Sequence, residues 1–190
     1  MTAETSGELA WAPNPVRQRL GNYTVEEILD LPDEAPRVEL DNGVAVVVPK
    51  PAYHHQETGN LLWLWLRQHA PAELASATDV GVAMSFADSL EPDVMLLRRP
   101  VPNRHLFQPD QVVLVAEVVS PSTKRRDRLE KPVLYARAGI PHYWRIEQEP
   151  VHVFAYDLVN GTYELAADSA EELVLSAPFD IKLPIRDITP

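Results

Sequence analysis

The chain has 190 residues, a size typical of one ordinary domain and short for two. Hydrophobic residues make up 45% and charged residues 24%, which excludes a disordered or collagen-like protein. The absence of cysteine excludes disulfides, Cys-ligated zinc, iron–sulfur clusters and thiol catalysis. A net charge of −11 disfavours a nonspecific nucleic-acid binder, although a local positive patch or a bound metal can reverse the field at one site.

The apolar runs are far shorter than the ~20 residues that a membrane-spanning helix needs. The polar, acidic N-terminus does not resemble a secretory signal, so we expect a cytoplasmic protein with no membrane contact. Pro13, Pro15 and a lack of periodicity indicate a flexible N-terminal arm over residues 1–22. We expect a single domain over residues 23–190.

The first predicted elements are a short helix and a hairpin. Thr24 and Glu27 have the spacing of a capping box, which predicts a helix up to about Leu31. Asn42-Gly43 between two apolar runs is typical of a tight hairpin turn. The later predicted elements are a helix over 53–69, strands over 73–78, 80–87, 93–98 and 112–119, a helix over 127–138, and strands over 142–146, 151–156 and 162–165.

The order of these elements predicts the fold class. The run from Val112 to Val119 does not alternate apolar and polar residues, so we expect a central strand that is covered on both faces. Pro132 should kink the helix over 127–138 or mark its first turn, and Gly139 should stop it. Together the predicted helices and strands indicate a mixed α/β (α+β) domain with an antiparallel or mixed sheet and few helices.

One carboxylate stands out in the predicted central strand. Glu117 has only apolar neighbours there, so burial requires that it be protonated, paired or bound to a metal. Asp93 opens another apolar strand, and two strands that each deliver one acid can build an oxygen-ligand site for Mg²⁺ or Mn²⁺. In the alternative interpretation both acids lie at strand ends, where they face water or pair with an arginine.

A basic run follows Glu117 in this acidic chain. Cations beside carboxylates suit a site that binds an anionic phosphodiester, and the alternative is a solvated helix face. Ser120 or Thr123 would touch a phosphate or, as we favour, cap the helix. The candidate nucleic-acid contacts in this run are Lys124, Arg125, Arg126 and Arg128.

Two further polar residues are candidates for the same site. Glu39 precedes the hairpin turn and would either point inward as a third acid or lie exposed. His55 opens the helix over 53–69 and would either contact a phosphate or cap the helix. The tryptophans at 63, 65 and 144 lie in apolar runs and are expected in the core rather than as base-stacking platforms.

Short polar motifs are distributed over most of the chain. They are Glu39–Gly43, His55, Pro92-Asp93-Val94, Glu117–Thr123, Asp127-Arg128, Lys131, Tyr135 and Gly139–Trp144. In this order they resemble the Uma-two family of restriction endonucleases, which belongs to the PD-(D/E)XK nuclease superfamily. The resemblance covers about residues 24–185, and its most specific block runs from Glu117 to Trp144.

The resemblance implies a restriction-endonuclease-like core, in which a mixed sheet is flanked by helices. It implies that Asp93 and Glu117 bind Mg²⁺ or Mn²⁺, helped by a backbone carbonyl near Val118. It also implies that Lys131 is the active-site lysine and that Glu39 is an accessory acid. The implied activity is metal-dependent endonuclease cleavage of phosphodiester bonds in DNA.

Two positions depart from the superfamily pattern. Residues two apart on a strand share a face, and the lysine is expected two positions after the glutamate, where this chain has Val119. Lys131 can replace that lysine only if the following helix packs back over the strand. The second departure is His142, where many relatives carry an acid.

Two other functions compete with the nuclease. The first is a catalytically inactive nuclease fold that serves as an interaction or regulatory module, which the −11 charge and Val119 favour. The second is a glycoside hydrolase with paired carboxylates, which the adjacent basic run disfavours because it indicates an anionic substrate. A nuclease that cuts both strands would favour a twofold homodimer.

Overall fold

The computed structural model describes residues 11–32, 34–121 and 124–190. The contacts divide the chain into two compact units. The first unit contains the described residues up to Lys50 together with Ser85–Ser89. The second unit contains Pro51–Met84 and the described residues from Leu90 to Pro190.

The first unit contains two short helices and a hairpin. The predicted capping box is confirmed, because the Thr24 hydroxyl accepts from the Glu27 amide and a Glu27 carboxylate oxygen accepts from the Thr24 amide at 2.9 Å. The predicted hairpin turn is also confirmed, and its Gly43 has a φ of 72°. A Cβ there would lie 2.1 Å from the Gly21 carbonyl oxygen, so the position requires glycine. The elements are α1 (Pro15–Leu20), α2 (Val25–Leu29), β1 (Val38–Asp41) and β2 (Val44–Val47).

The predicted arm and the predicted single domain stay predictions. The first ten residues of the arm lie outside the described residues, and α1 lies within the remainder. Arg17 of α1 is bound to Glu27 by two hydrogen bonds of 2.7 Å each.

The second unit is built on a six-stranded sheet in the order β11-β10-β9-β8-β6-β3. All seven residues of β8 are buried, and β8 is antiparallel to β6 and parallel to β9. This confirms the predicted central strand and the predicted mixed sheet. The strands of the chain from β3 onward are β3 (Leu74–Ala77), β4 (Gly81–Ala83), β5 (Ser89–Leu90), β6 (Val94–Arg98), β7 (Leu106–Phe107), β8 (Val112–Val118), β9 (His142–Gln148), β10 (Val151–Val159), β11 (Thr162–Ser169), β12 (Glu172–Leu175) and β13 (Ile181–Pro184).

Helices lie on both faces of this sheet. On one face α3 (Tyr53–His69) packs Leu62 and Leu66 into the main core, which also contains Trp144. On the other face α4 (Lys131–Arg137) contributes Tyr135 to a second core. Three further tyrosines pack in that second core, those at positions 143, 156 and 163. The expected fold class, a mixed α+β domain with a mixed sheet flanked by helices, is therefore confirmed.

Three local predictions were wrong or incomplete. The predicted strand over 80–87 ends at Ala83, because Ser85 and Asp88 close a turn through a 2.6 Å side-chain hydrogen bond. The predicted helix over 127–138 begins as a π-helical turn over Arg126–Glu130, whereas the expectation that Pro132 marks a first turn is confirmed, because Pro132 lies in the first turn of α4. The short strands β5, β7, β12 and β13 were not predicted. No helix in the described part of the chain is long and apolar enough to cross a membrane.

The central strand should dominate stability. Replacement of Leu114, which is fully buried in β8, by alanine should lower the free energy of unfolding by about 2–5 kcal/mol, because it leaves a cavity between the sheet and its helices. Val174→Ala on β12 is the control. Because Val174 is 53% exposed, this substitution should change the free energy of unfolding by less than about 0.5 kcal/mol. Urea denaturation measures both, and equal effects would contradict the assignment of β8 to the core.

Candidate active site

Two neighbouring strands bring the predicted acids together. Strands β6 and β8 are antiparallel, and Val94 is the register partner of Ala116, so Asp93 and Glu117 each lie one residue from this pair. The Asp93 Oδ2 atom accepts a 2.8 Å hydrogen bond from the backbone amide of Val118. The end of β8 therefore carries one acid itself and holds the other in place.

Glu117 is held by two side chains from α4. Its Oε2 accepts a 2.6 Å hydrogen bond from the Lys131 ammonium, and its Oε1 accepts a 2.6 Å hydrogen bond from the Tyr135 hydroxyl. The side chains of Glu117 and Lys131 are only 2% and 7% exposed. The helix after β8 does pack back over the strand, and it brings the Lys131 ammonium into contact with the Glu117 carboxylate. Lys131 therefore reaches the site although Val119 stands at the usual lysine position.

Asp127, for which the sequence predicted no role, completes this cluster. Its Oδ1 lies 3.1 Å from the Lys131 nitrogen, an ion pair that lacks the angles of a hydrogen bond. The Tyr143 hydroxyl donates a 2.5 Å hydrogen bond to the Asp127 backbone carbonyl. Positions 127, 131 and 135 are four apart, which places them on one helical face, and this spacing was the available signal.

The carboxylates outnumber the buried ammonium. Burial raises the pKa of Glu117 to about 8; Lys131 opposes this rise, and the negative charges of Asp93 and Asp127 add to it. Burial also raises the pKa of Tyr143 well above its usual value, and Glu117 and Asp127 contribute. The cluster around Glu117 thus contains more acidic than basic side chains.

This donor set fits a divalent cation of the Mg²⁺ or Mn²⁺ type. Oxygen donors suit both ions, and Mg²⁺ is commonly bound by one or two carboxylates together with water and substrate phosphate. A divalent ion would also offset the surplus of negative charge around Glu117. Over residues 11–32, 34–121 and 124–190, no group of three or more His, Cys, Asp or Glu side chains forms a ready cage. Asp93 and Glu117 would therefore need ligands from the backbone, water or substrate.

The other predicted site residues are placed differently. His55 Nε2 lies 3.4 Å from Asp93 Oδ2, and the two side chains are 12% and 18% exposed, so His55 faces the acid rather than solvent. Glu39 is buried, 1% exposed, on β1 of the first unit. The exposed-hairpin alternative for Glu39 is wrong, and its role as an accessory acid stays a prediction.

The basic run is only partly exposed. Lys124 and Arg125 are exposed, and Arg125 lies 3.5 Å from Glu130 in a loose ion pair. Arg126 is half-buried. Arg128 donates two hydrogen bonds, of 2.9 and 2.8 Å, to the two carboxylate oxygens of Glu147 on β9.

Two other predictions concern this part of the site. Thr123, one of the two candidate helix caps, lies outside the described residues. His142, the second departure from the superfamily pattern, lies 2.7 Å from Asp157 on β10, which supplies a carboxylate beside it.

The raised pKa of Glu117 predicts a pH dependence of stability. A carboxyl group that titrates near 4.5 in the unfolded chain and near 8 in the fold binds its proton more tightly in the fold, so stability should fall as pH rises through this window. Glu117→Gln removes this titration. Denaturant unfolding in EDTA between pH 5 and 8 should show the wild type losing stability relative to Glu117→Gln. A difference that stays constant or rises with pH would contradict the raised pKa.

The model of the Uma2 family, described as "Putative restriction endonuclease", matches residues 25–186. The crystal structure of "a putative nuclease belonging to DUF820" from Anabaena variabilis is similar at a TM-score of 0.68 and 18% identity, and the match covers 87% of this chain and 96% of that one. At this identity the likeness shows the fold, which agrees with the expected restriction-endonuclease-like core. No curated protein matches the chain.

Proposed function

Because this chain belongs to the Uma2 family of restriction-endonuclease-like proteins, we propose that it is a metal-dependent endonuclease that hydrolyses phosphodiester bonds in DNA. The observation that carries the proposal is the convergence of Asp93, Glu117 and Lys131 at the ends of two adjacent strands. The glutamate is buried, yet it is paired with a lysine from a different element. A buried ion pair is weak support for stability, so its presence favours a chemical role.

Each residue has a role in this proposal. Asp93 and Glu117 would hold Mg²⁺ or Mn²⁺, which when bound lowers the pKa of a water and offsets charge on the phosphate. The Val118 amide fixes the Asp93 carboxylate, and the Tyr135 hydroxyl fixes that of Glu117. The Lys131 ammonium would orient the attacking water or stabilise the negative charge that develops on the phosphate.

The other polar residues near the acids are given roles according to their contacts. His55 lies against Asp93, which favours a contact to the acid or to a phosphate bound beside it. Lys124 and Arg125 are exposed and would hold the DNA backbone. The guanidinium of Arg128 is hydrogen-bonded to Glu147. We therefore assign Arg128 a structural role, in which it links the π-helical turn to β9. A homodimer, a cytoplasmic location and a role of Glu39 stay predictions.

A second candidate function is an inactive nuclease fold that serves in protein interaction. It is favoured by the fact that both oxygens of Glu117 already accept hydrogen bonds within the chain. A self-contained network of this kind would persist without substrate. Cleavage assays separate the two functions, because only the first needs the acids to act on DNA.

Loss of either acid should abolish cleavage. We expect the wild type to cut single- or double-stranded DNA with Mg²⁺ or Mn²⁺, and Asp93→Asn and Glu117→Gln to lower the rate at least ~100-fold, since they remove ligand charge at constant size. Glu172→Gln, at an exposed position on β12, should cut like the wild type. The measurement is single-turnover cleavage of labelled substrates, with EDTA as the metal-free control. No cutting by the wild type with either metal, on DNA or RNA, would favour the inactive fold.

The exposed cations should set the salt dependence of DNA binding. Each phosphate contact contributes about 0.9 to the slope of log affinity against log salt, so Lys124→Gln and Arg125→Gln should each reduce it by about that amount. Lys182→Gln is the control, because Lys182 is exposed on β13. Fluorescence anisotropy with Ca²⁺ in place of Mg²⁺ measures binding. Unchanged slopes in both variants would place the DNA elsewhere.

A further inference from the structure

The ammonium of Lys131 lies between two buried carboxylates. Its nitrogen is 2.6 Å from Glu117 Oε2 and 3.1 Å from Asp127 Oδ1. The side chains of both acids are 2% exposed, so water screens neither contact effectively. The two contacts differ in quality, because only the contact to Glu117 is a hydrogen bond.

The contact to Glu117 conflicts with the binding of a cation there. If Glu117 is a metal ligand, a divalent ion and the Lys131 ammonium compete for the same carboxylate. Two positive charges in a buried pocket repel each other strongly, since the effective dielectric constant is low. The Tyr135 hydroxyl already occupies Oε1, which increases the competition at Oε2. The ammonium therefore needs another anion close by if it is to stay in the site.

Asp127 has the properties of that second anion. Its Oδ1 is buried, lies within 3.1 Å of the ammonium and accepts no hydrogen bond from the residues that the structure describes, so it can take a full hydrogen bond from Lys131. The Asp127 backbone is anchored through its carbonyl by the Tyr143 hydroxyl of β9. Position 127 precedes position 131 by four residues, so a small change in the lysine side chain is enough to shift the ammonium between the acids.

We propose that Asp127 is a positioning residue that takes over the Lys131 ammonium when Glu117 binds a divalent cation. This inference rests on the proposed function, because it assumes that Glu117 is a ligand. Asp127 lets the metal and the lysine occupy the site together. Without it, the ammonium would stay on Glu117 and oppose metal binding.

A double-mutant cycle on Mn²⁺ affinity tests this role, with isothermal titration calorimetry or the electron paramagnetic resonance signal of free Mn²⁺ as the readout. In the wild-type background, Asp127→Asn should weaken Mn²⁺ binding about tenfold, since its amide cannot balance the ammonium. In a Lys131→Met background, where no ammonium competes, the same change should weaken binding by less than about threefold. Glu130→Gln, on the same π-helical turn but exposed, is the control and should leave the affinity unchanged.

The outcomes separate this role from its alternatives. An equal loss in both backgrounds would overturn the proposal and make Asp127 a ligand or a general source of negative field. No loss in either background would also overturn it. In both cases the wild type still binds Mn²⁺ and the proposed function stands. A wild type that does not bind Mn²⁺ would overturn the proposed function as well.

A second variant guards against a folding defect in Asp127→Asn. Tyr143→Phe removes only the hydroxyl that anchors the Asp127 carbonyl, so it should weaken Mn²⁺ binding in the same direction by a smaller factor. Lys131→Met should again suppress this effect. A Tyr143→Phe effect that persists in the Lys131→Met background would contradict the takeover of the ammonium by Asp127.

Discussion

Glu117 brings a carboxylate to the end of the central strand of a sheet that is covered by helices, and α4 supplies the side chains that contact it. An uncompensated charge in such a position is expensive, so it must find donors from the elements that cover it. The chain supplies them as Lys131 and Tyr135, one helical turn apart on one face of α4. The packed tyrosines at 143, 156 and 163 lie in the same core as Tyr135 and hold this helix against the sheet. The local architecture is therefore arranged around one acid.

This arrangement explains how the chain keeps a lysine at the site although Val119, directly after β8, stands at the usual lysine position. A lysine two residues after Glu117 would reach the site from the residue that directly follows β8, whereas Lys131 reaches it from the helix that covers β8. The helical origin adds a partner that a strand lysine would lack, because Asp127 lies one turn before it. A buried ion pair gains little stability over apolar packing, and this cluster contains more acid than base. Its retention is more readily explained by chemistry than by folding.

The sequence was sufficient for the parts of the site that depend on local pattern. A single glutamate in an otherwise apolar run indicates a buried acid, and the absence of alternation indicates a central strand. Asp93 also adjoins an apolar run, so the sequence could pair it with Glu117 on a neighbouring strand. The π-helical turn could not be predicted, because it depends on a hydrogen bond from the Lys131 amide to the Arg126 carbonyl oxygen. The burial of Asp127 could not be predicted either, because the charged run around it has the composition of a solvated helix face. Arg128 was predicted to contact nucleic acid, and its occupation by Glu147 depends on a contact between residues 19 apart in sequence.

Single-turnover cleavage of DNA by two lysine variants tests whether Lys131, from α4, supplies the ammonium that the superfamily pattern places at position 119. Lys131→Met should slow cleavage at least ~100-fold while Mn²⁺ still binds, because the acids remain. Val119→Lys combined with Lys131→Met returns an ammonium to the face of Glu117 from the end of β8, and it should recover a measurable part of the rate. Cleavage by Lys131→Met at the wild-type rate would show that Lys131 is not the active-site lysine.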